Sequence, residues 1–364
     1  MDKKTERPRR ILVAMSGGVD SSMAAALLCE AGHDVSGVTM CFELPEAEES
    51  RRPVCCGLSA IEDARRVCRV LGIQHHVLNY GDVLQSLVVD DFVAEYSRGR
   101  TPNPCVRCNR FLKFGRLWED AKGLGAEALA TGHYASIMYN SGAGRWELRK
   151  AADRRKDQSY FLYGIPRELL PSVMFPLGAF TKEQVRAMAR ERSLPVAERP
   201  DSQDICFIPD GKYRDFLAAH GVVDAPGDFV DHAGKVVGRH GGVSHYTVGQ
   251  REGLGIALGY PAYVYRIDPA ANRVLVGPQE KLLCVGLEAR ELNLVSMNFF
   301  QETFEAGLKI RYNHTDIKGL VTLAESGRVQ VRFLEPQRAV TPGQSVVFYD
   351  GDMLLGGAVI ERSV

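Results

Sequence analysis

No stretch of this 364-residue chain reaches the roughly 18 consecutive apolar residues that a membrane-spanning helix needs, which argues against an integral membrane protein. Net charge is missing too: 45 Lys and Arg stand against 45 Asp and Glu, so no whole-molecule field announces a nucleic-acid partner. Internal repeats and low-complexity linkers are absent. The first apolar run, ILVAMSGG after the charged MDKKTERPRR, is broken by glycine too soon for a secretion signal. These absences lead to the expectation of a soluble, cytoplasmic protein with no membrane partner. Cysteine is present, but nine residues in so long a chain, an uneven number, do not suit a secreted disulfide scaffold. Reduced thiols are expected. Cys55 and Cys56 with His75 and His76 lack the usual zinc-ligand spacing, and Cys29, Cys41, Cys68 and Cys284 read as small buried hydrophobes.

What is there begins with an alternation of strands and helices. ILVAM is a short apolar run, SGGVDSS breaks it, MAAALLCEAG has helical composition closing at Gly32, and DVSGVTM is β-like. The same sequence of elements returns in SAIEDARRVCRVLG, closed by Gly72, with IQHHVLNY, and again in FGRLWEDAKGLG with AEALATGHY. This pattern predicts an α/β, Rossmann-like, mainly parallel sheet with helices on both faces. Ligands of such sheets bind at the carboxyl ends of the strands, so Ser16 to Ser22, Met40, Gly132 and His133 are expected to converge. Beyond about residue 210 the texture changes: AYVYRIDPAANRVLVG reads as a hairpin, and alternation dominates from residue 303 onward. The predicted division is 1–212 for the α/β domain, 213–282 for a small central β-rich domain and 283–364 for a carboxyl-terminal β-barrel.

The segment AMSGGVDSS lies between a strand and a helix, where backbone N–H groups and the helix dipole attract anions. It has no Walker lysine, so a GxxxxGK[ST] nucleotidase is not supported. Gly17 and Gly18 allow close approach, Ser16, Ser21 and Ser22 offer hydroxyls, and Asp20 is a candidate to help hold Mg²⁺.

Charge, though balanced overall, is locally clustered. Arg98, Arg100, Arg107, Arg110, Lys113 and Arg116 follow one another with no acid between them, and Arg149 to Lys156 holds five basic residues against one Asp. Such clusters can neutralise phosphates, and they predict salt-sensitive binding of a nucleic acid. Within the first lies NPCVRCNR, a Cys-x-x-Cys whose spacing alone serves metals and redox chemistry alike. Arginines beside Cys108 favour its thiolate.

SGGVDSS resembles the pyrophosphate loop of the N-type ATP pyrophosphatases, the PP-loop superfamily, which split ATP to AMP and pyrophosphate by adenylating a substrate oxygen. Then GRTPNPCVRCNRFLKF, ATGHYA, KDQSYFLY, DSQDICFI, TVGQREGLGI and TPGQSVVFY, in this order, are similar to the successive signatures of tRNA-specific 2-thiouridylases, from about residue 10 to the carboxyl end. The resemblance implies ATP with Mg²⁺ as cofactors, tRNA as partner, and replacement of the C2 oxygen of the wobble uridine by sulfur. It implies ATP binding by Ala14, Met15, Ser16, Gly17, Gly18, Val19, Asp20, Ser21, Met40 and Gly132. Asn103, Pro104 and Cys105 border the target base in this reading. His133, Lys156, Asp157, Gln158, Arg311, Tyr312 and Gln344 contact tRNA. By the same resemblance Cys206 carries the persulfide sulfur, handed over by a cysteine desulfurase or relay protein, Cys108 is the second catalytic thiol, a Cys108–Cys206 disulfide is left for reduction, and the enzyme is a monomer.

One position departs from the family: many members carry Asp where this chain has Cys105. Cys105, Cys108 and Cys206 would together suffice for three ligands of a [4Fe–4S] cluster, so persulfide and cluster chemistry both stand open. Two other functions fit parts of the pattern. An adenylating amide-forming ligase would share the loop, but no glutaminase segment is evident. A non-enzymatic RNA-binding iron–sulfur module would not need the ordered string of motifs.

Overall fold

The computed structural model describes residues 7–42, 58–200, 205–208, 211–297 and 302–364. Cys55 and Cys56, and part of the DSQDICFI motif, lie outside them. The chain divides into two compact units, one of Met1–Leu87, Val106–Asp210 and Asp352–Leu354, the other of Val88–Cys105, Gly211–Gly351 and Leu355–Val364.

The first unit is built on a parallel sheet. β1 (Arg10–Ala14), β2 (Asp34–Cys41), β3 (Gln74–Asn79) and β4 (Ala128–Thr131) are followed by a hairpin, β5 (Ala135–Asn140) and β6 (Arg145–Lys150), and by the short β7 (Val173–Met174). The sheet order is β3-β2-β1-β4-β7, with every pairing parallel. Ile11, Leu12 and Val13 are buried on both faces of β1, which is why that strand reads as an unbroken apolar run rather than an alternation. The chain moves outward from β1 to β3 and then returns to the other side of β1 to lay down β4. That reversal opens a crevice beyond the carboxyl ends of β1 and β4.

The helices follow from local chemistry. α1 (Val19–Glu30) is buried along most of its length by Val19, Met23, three alanines and Leu28, small enough to sit between the sheet and its neighbours. It ends at Gly32, whose φ of 82° lets the chain turn back while Gly32 N and His33 N reach the carbonyls of Cys29 and Leu28. Gly72 ends α2 (Leu58–Leu71) in the same way, as the sequence predicts. α3 (Gly81–Leu84) is a single turn; α4 (Asp90–Ser97) belongs to the second unit. A longer helix starts as α5 (Pro104–Arg107), is wound as a π-helix over Cys108–Arg116, and continues as α6 (Leu117–Gly123). α7 (Lys182–Glu191) opens on a capping box between Thr181 and Gln184 and packs Val185 and Ala189 into the core around α1.

In the second unit α4 meets α8 (Tyr213–Ala219), with Tyr96 stacked on Tyr213 at 5.3 Å. A four-stranded sheet of β8 (Gly227–Val230), β9 (Val236–His240), β10 (Tyr263–Asp268) and β11 (Arg273–Gly277) encloses Phe229, Val264, Val274 and Val276. β10 and β11 form the hairpin expected from the sequence. β12 (Leu283–Leu294), β13 (Thr303–Lys309), β14 (Ile317–Leu323), β15 (Val329–Arg338), β16 (Ser345–Asp350) and β17 (Met353–Ser363) then form a barrel, closed by the pairing of β12 with β17. An α/β domain, a small β domain and a β-barrel therefore follow one another, as expected. The hairpin β5–β6, the strand β7 and the helix α7 are additions that the sequence reading does not contain.

Candidate active site

The glycine turn after β1 is built almost wholly from its own atoms. Gly17 takes a φ of 71°, and a Cβ there would lie 2.4 Å from the carbonyl oxygen of Ala60, so no other residue fits. Gly18 is the N-cap of α1 and no side chain caps it, which leaves first-turn N–H groups of the helix for an anion. Ser22 Oγ donates to Gly18 O at 2.8 Å, and Ser21 Oγ accepts from Ser16 N at 3.1 Å. Ser21 and Ser22 are buried, so the expectation of three hydroxyls offered to a ligand is corrected. Two of them brace the turn, and Ser16 alone is exposed.

A further layer holds the turn from behind. Met15 N donates to Val38 O at 2.7 Å, and Thr39 Oγ1 donates to Met15 O at 3.0 Å while lying 2.8 Å from His75 Nε2. Arg199 donates to Gly17 O at 3.0 Å and pairs with Asp63 on α2. Gly132, just past β4, presses on the first turn of α1: a Cβ would lie 2.6 Å from Ser21 N. Of the predicted convergence of Ser16 to Ser22 with Met40, Gly132 and His133, the approach of Gly132 to the first turn of α1 is present. Met40 is half-buried near the end of β2, two residues beyond Val38.

Asp20, expected near Mg²⁺, has another partner. Lys182 Nζ lies 2.8 and 2.7 Å from its two carboxylate oxygens, and Tyr134 OH donates to one of them at 2.8 Å. In this structure the Asp20 carboxylate is paired with the Lys182 ammonium. Lys182, Tyr134, Thr39 and Arg199 are site residues the sequence reading passes over; the T-x-x-Q capping box ahead of α7 is the signal that marks where Lys182 sits.

The thiols are presented differently. Cys206 is exposed, while its neighbours Phe207 and Ile208 are buried and anchor the turn. Cys108 is half-buried at the start of the π-wound stretch, a winding frequent at functional sites. Its neighbour Asn109 is buried and donates to Phe161 O at 3.0 Å, fixing that stretch. Cys105 is exposed. Among the described residues no group of three or more Cys, His, Asp or Glu side chains is placed to hold a metal ion.

The residues expected to contact tRNA divide into two classes. Arg311 is exposed and Tyr312 half-buried, both in the loop between β13 and β14 rather than on a strand; Lys156 is half-buried. His133 has Nδ1 2.6 Å from Thr131 Oγ1 and packs between Phe114 and Phe175; burial, with a lesser push from Lys113, holds its pKa well below the ordinary histidine value. The others are engaged inside the protein. Asp157 is buried and accepts from Ala151 N and Ser159 Oγ. Gln158 Oε1 accepts from Tyr134 N at 2.9 Å. Gln344 Nε2 donates to Thr101 O at 2.9 Å and to Pro102 O at 3.2 Å, while Thr101 N donates to Pro342 O at 2.8 Å. Asn103, Pro104 and Cys105 continue from that held segment.

The acid-free run of basic residues also finds acids, which lie just outside it. Arg98 and Arg100 both pair with the buried Glu95, as does Arg290, and Arg116 pairs with Asp120. In the second cluster Arg149, Arg154 and Arg155 pair with Glu147, Asp352 and Glu183.

Residues 9–210 match the tRNA methyl transferase HUP domain, 214–278 the tRNA methyl transferase PRC-barrel domain and 285–360 the aminomethyltransferase β-barrel domain. The tRNA-specific 2-thiouridylase of Pelotomaculum thermopropionicum is 50% identical over 357 residues, 97% of this chain and 98% of that protein. That of Geobacter metallireducens is 50% identical over 368 residues, 99% of each chain, and that of Carboxydothermus hydrogenoformans is 48% identical over 357 residues, 97% of this chain and 98% of that protein. The domain descriptions speak of methyl transfer, but these relatives match end to end, and the thiol-bearing segments suit sulfur chemistry. With half of its residues shared across three successive domains, the chain belongs to the family of tRNA-specific 2-thiouridylases.

Proposed function

We propose that this protein replaces the C2 oxygen of the wobble uridine of tRNA, position 34, by sulfur at the expense of ATP. The observation that carries the reading is the pairing, within one unit, of an uncapped helix N-terminus at Gly18 with an exposed Cys206 set on buried neighbours. The uracil C2 oxygen is a poor leaving group. Attack of that oxygen on the α-phosphorus of ATP expels pyrophosphate and makes it the leaving oxygen of AMP. Backbone N–H groups of the Gly18 turn hold the polyphosphate, and Gly132 keeps the approach to α1 narrow. Mg²⁺ accompanies the nucleotide.

Sulfur then enters through the thiols. A persulfide on Cys206, loaded by a persulfide-carrying donor such as a cysteine desulfurase or its relay, offers its outer sulfur to C2. Cys108 thiolate attacks Cys206 Sγ, so the outer sulfur keeps the bonding pair of the broken S–S bond, adds to C2 and displaces AMP. The Cys108–Cys206 disulfide that remains is reduced by an external dithiol. Asn103, Pro104 and Cys105 border the base in this proposal, and Arg311, Tyr312, Lys156 and His133 meet the tRNA. Asp157, Gln158 and Gln344 support these contacts from inside. The boundaries at 212/213 and 282/283, monomeric action and a cytoplasmic location belong to the same proposal; no helix of the described residues is long and apolar enough to cross a membrane.

The cluster alternative needs Cys105, Cys108 and Cys206 gathered around iron. The persulfide route needs only Cys108 and Cys206, which belong to one unit. Mass-spectrometric detection of 2-thiouridine after incubation with tRNA, ATP, Mg²⁺ and a sulfur source tests the reading. Iron-free protein is expected to form product, and Cys206→Ser to form none. Full activity of Cys206→Ser removes the assigned sulfur carrier, and product only after anaerobic cluster reconstitution removes the persulfide route.

A further inference from the structure

A negatively charged side chain in the first turn of α1 poses a problem for a site that must take a polyphosphate. Asp20 is the second residue of that helix, where the dipole favours its carboxylate, yet the same place is where the phosphate anion must sit. Retreat is blocked: Gly132 presses on this turn, with a Cβ there only 2.7 Å from the Asp20 carbonyl carbon, and Tyr134 OH holds one carboxylate oxygen. The charge is cancelled from outside the loop. Lys182 Nζ reaches both oxygens from the first residue of α7, and its side chain is only 9% exposed.

The delivery of this lysine is itself organised. The capping box of Thr181 and Gln184 fixes the start of α7, and Lys182 N donates to Asp153 Oδ2 at 3.1 Å. Burial alone would raise the pKa of Asp153, but N–H donors from Lys182, Arg155 and Lys156 hold it below the ordinary carboxylate value. Lysine is almost never buried unless paired, and a buried pair adds little net stability over apolar residues of the same size. The arrangement therefore calls for a role beyond holding the fold.

We propose that Lys182 is a positioning residue that acts as the counter-charge of the phosphate loop: it neutralises Asp20, so that this carboxylate can order the first turn of α1 without repelling the nucleotide. The proposal rests on the reading of the loop as an ATP site. It differs from a direct lysine–phosphate contact in a measurable way, because affinity then follows the summed charge of the pair rather than the presence of the ammonium.

The test is the dissociation constant of Mg²⁺-ATP at fixed ionic strength for the unaltered chain, Lys182→Met, Asp20→Asn and the double variant. Asn at position 20 keeps an oxygen for Tyr134, and Met keeps the length of the lysine stem. Lys182→Met is expected to weaken binding at least about tenfold, the scale of one uncompensated charge at a few ångströms. Asp20→Asn is expected to tighten binding, and the double variant to return to within about threefold of the unaltered chain, since its summed charge is again zero. The KM for tRNA is expected to stay level while the KM for ATP rises in Lys182→Met. A double variant as weak as Lys182→Met alone would overturn the proposal in favour of direct phosphate contact, and so would an Asp20→Asn variant that weakens binding. If Lys182→Met does not fold, the latter comparison and the double variant, which carries no lone buried charge, still decide. Loss of nucleotide binding in the unaltered chain takes down the ATP reading as well.

Discussion

The phosphate loop and the thiol segments solve opposite problems. Around Gly17 and Gly18 nearly every polar atom is turned inward: Ser21 and Ser22 brace the turn, Arg199 holds the Gly17 carbonyl, Asp20 is bound by Lys182. What is left for the ligand is backbone and the exposed Ser16. At Cys206 the backbone is anchored through Phe207 and Ile208, and the side chain is what faces out. Binding a polyphosphate rewards a rigid cradle of N–H groups that need not move. Transferring a sulfur atom requires a side chain that can be loaded by one partner and discharged onto another, so it must be reachable.

This contrast can be broken from either side. The largest effect is expected at the thiols: Cys206→Ser or Cys108→Ser should lower 2-thiouridine formation by on the order of a thousandfold or more while ATP binding stays within about twofold, because the nucleophilic unit fails when either member is lost. Product is counted by mass spectrometry and affinity by calorimetry; a matching loss of ATP affinity would mean that the two regions are not separable. Next in size is Gly132→Ala. Its Cβ would meet Ser21 N at 2.6 Å, inside van der Waals contact, and the shift of about 1 Å that relieves it should cost about a hundredfold in the adenylation rate. Gln344→Ala removes two hydrogen bonds to the carbonyls of Thr101 and Pro102, and a fall in kcat of about fivefold to tenfold is expected with the ATP KM unchanged.

Smaller still is a pH effect at His133. Its folded pKa lies below its unfolded value, so the unfolded chain binds more protons between the two. Stability from the half-buried neutral ring is complete above the unfolded pKa of about 6.5 and is lost as pH falls below it. Urea midpoints at pH 7.5 and pH 5 should therefore differ more for the unaltered protein than for His133→Gln. The smallest change is expected for Cys105→Asp, which installs the residue many family members carry at an exposed position. Thiolation should stay within about twofold, and a complete loss would point instead to a third working thiol.

How much of this was legible in the sequence depended on how local the physics was. β1, α1 and β2 could be read because an apolar run, a glycine turn and Gly32 are signals contained in a few residues. The same holds for the hairpin of β10 and β11 around Asn272. The two-residue strand β7 and the hairpin β5–β6 escaped because neither is marked off by a strong apolar period. In the site, Gly17, Gly18 and Gly132 were found through their motifs. The partners of Asp20 were not, since Lys182 lies 162 residues further on and nothing near either residue announces the pair. Charge misled for the opposite reason, because the partners lie just outside the run. The run from Arg98 to Arg116 contains no acid, yet Glu95, three residues before its start, takes up Arg98 and Arg100, and Asp120 takes up Arg116. Likewise the hydroxyls of Ser21 and Ser22 could be counted in the sequence, but their direction could not.

The grip of Gln344 on Thr101 and Pro102 has a bearing on how the protein is made. Synthesis runs from the amino terminus and domains tend to fold in that order, so the β1–α1 turn has its local partners within a few dozen residues of leaving the ribosome. The carbonyl of Thr101 must wait for a residue 243 positions later before its amide partner exists. A chain cut short before the barrel would carry the nucleotide turn without the clasp on the segment that leads into Cys105 and Cys108. Completion of the last strands is thus written into the shape of residues 101 and 102, and a finished chain differs from an unfinished one just ahead of Cys105 and Cys108.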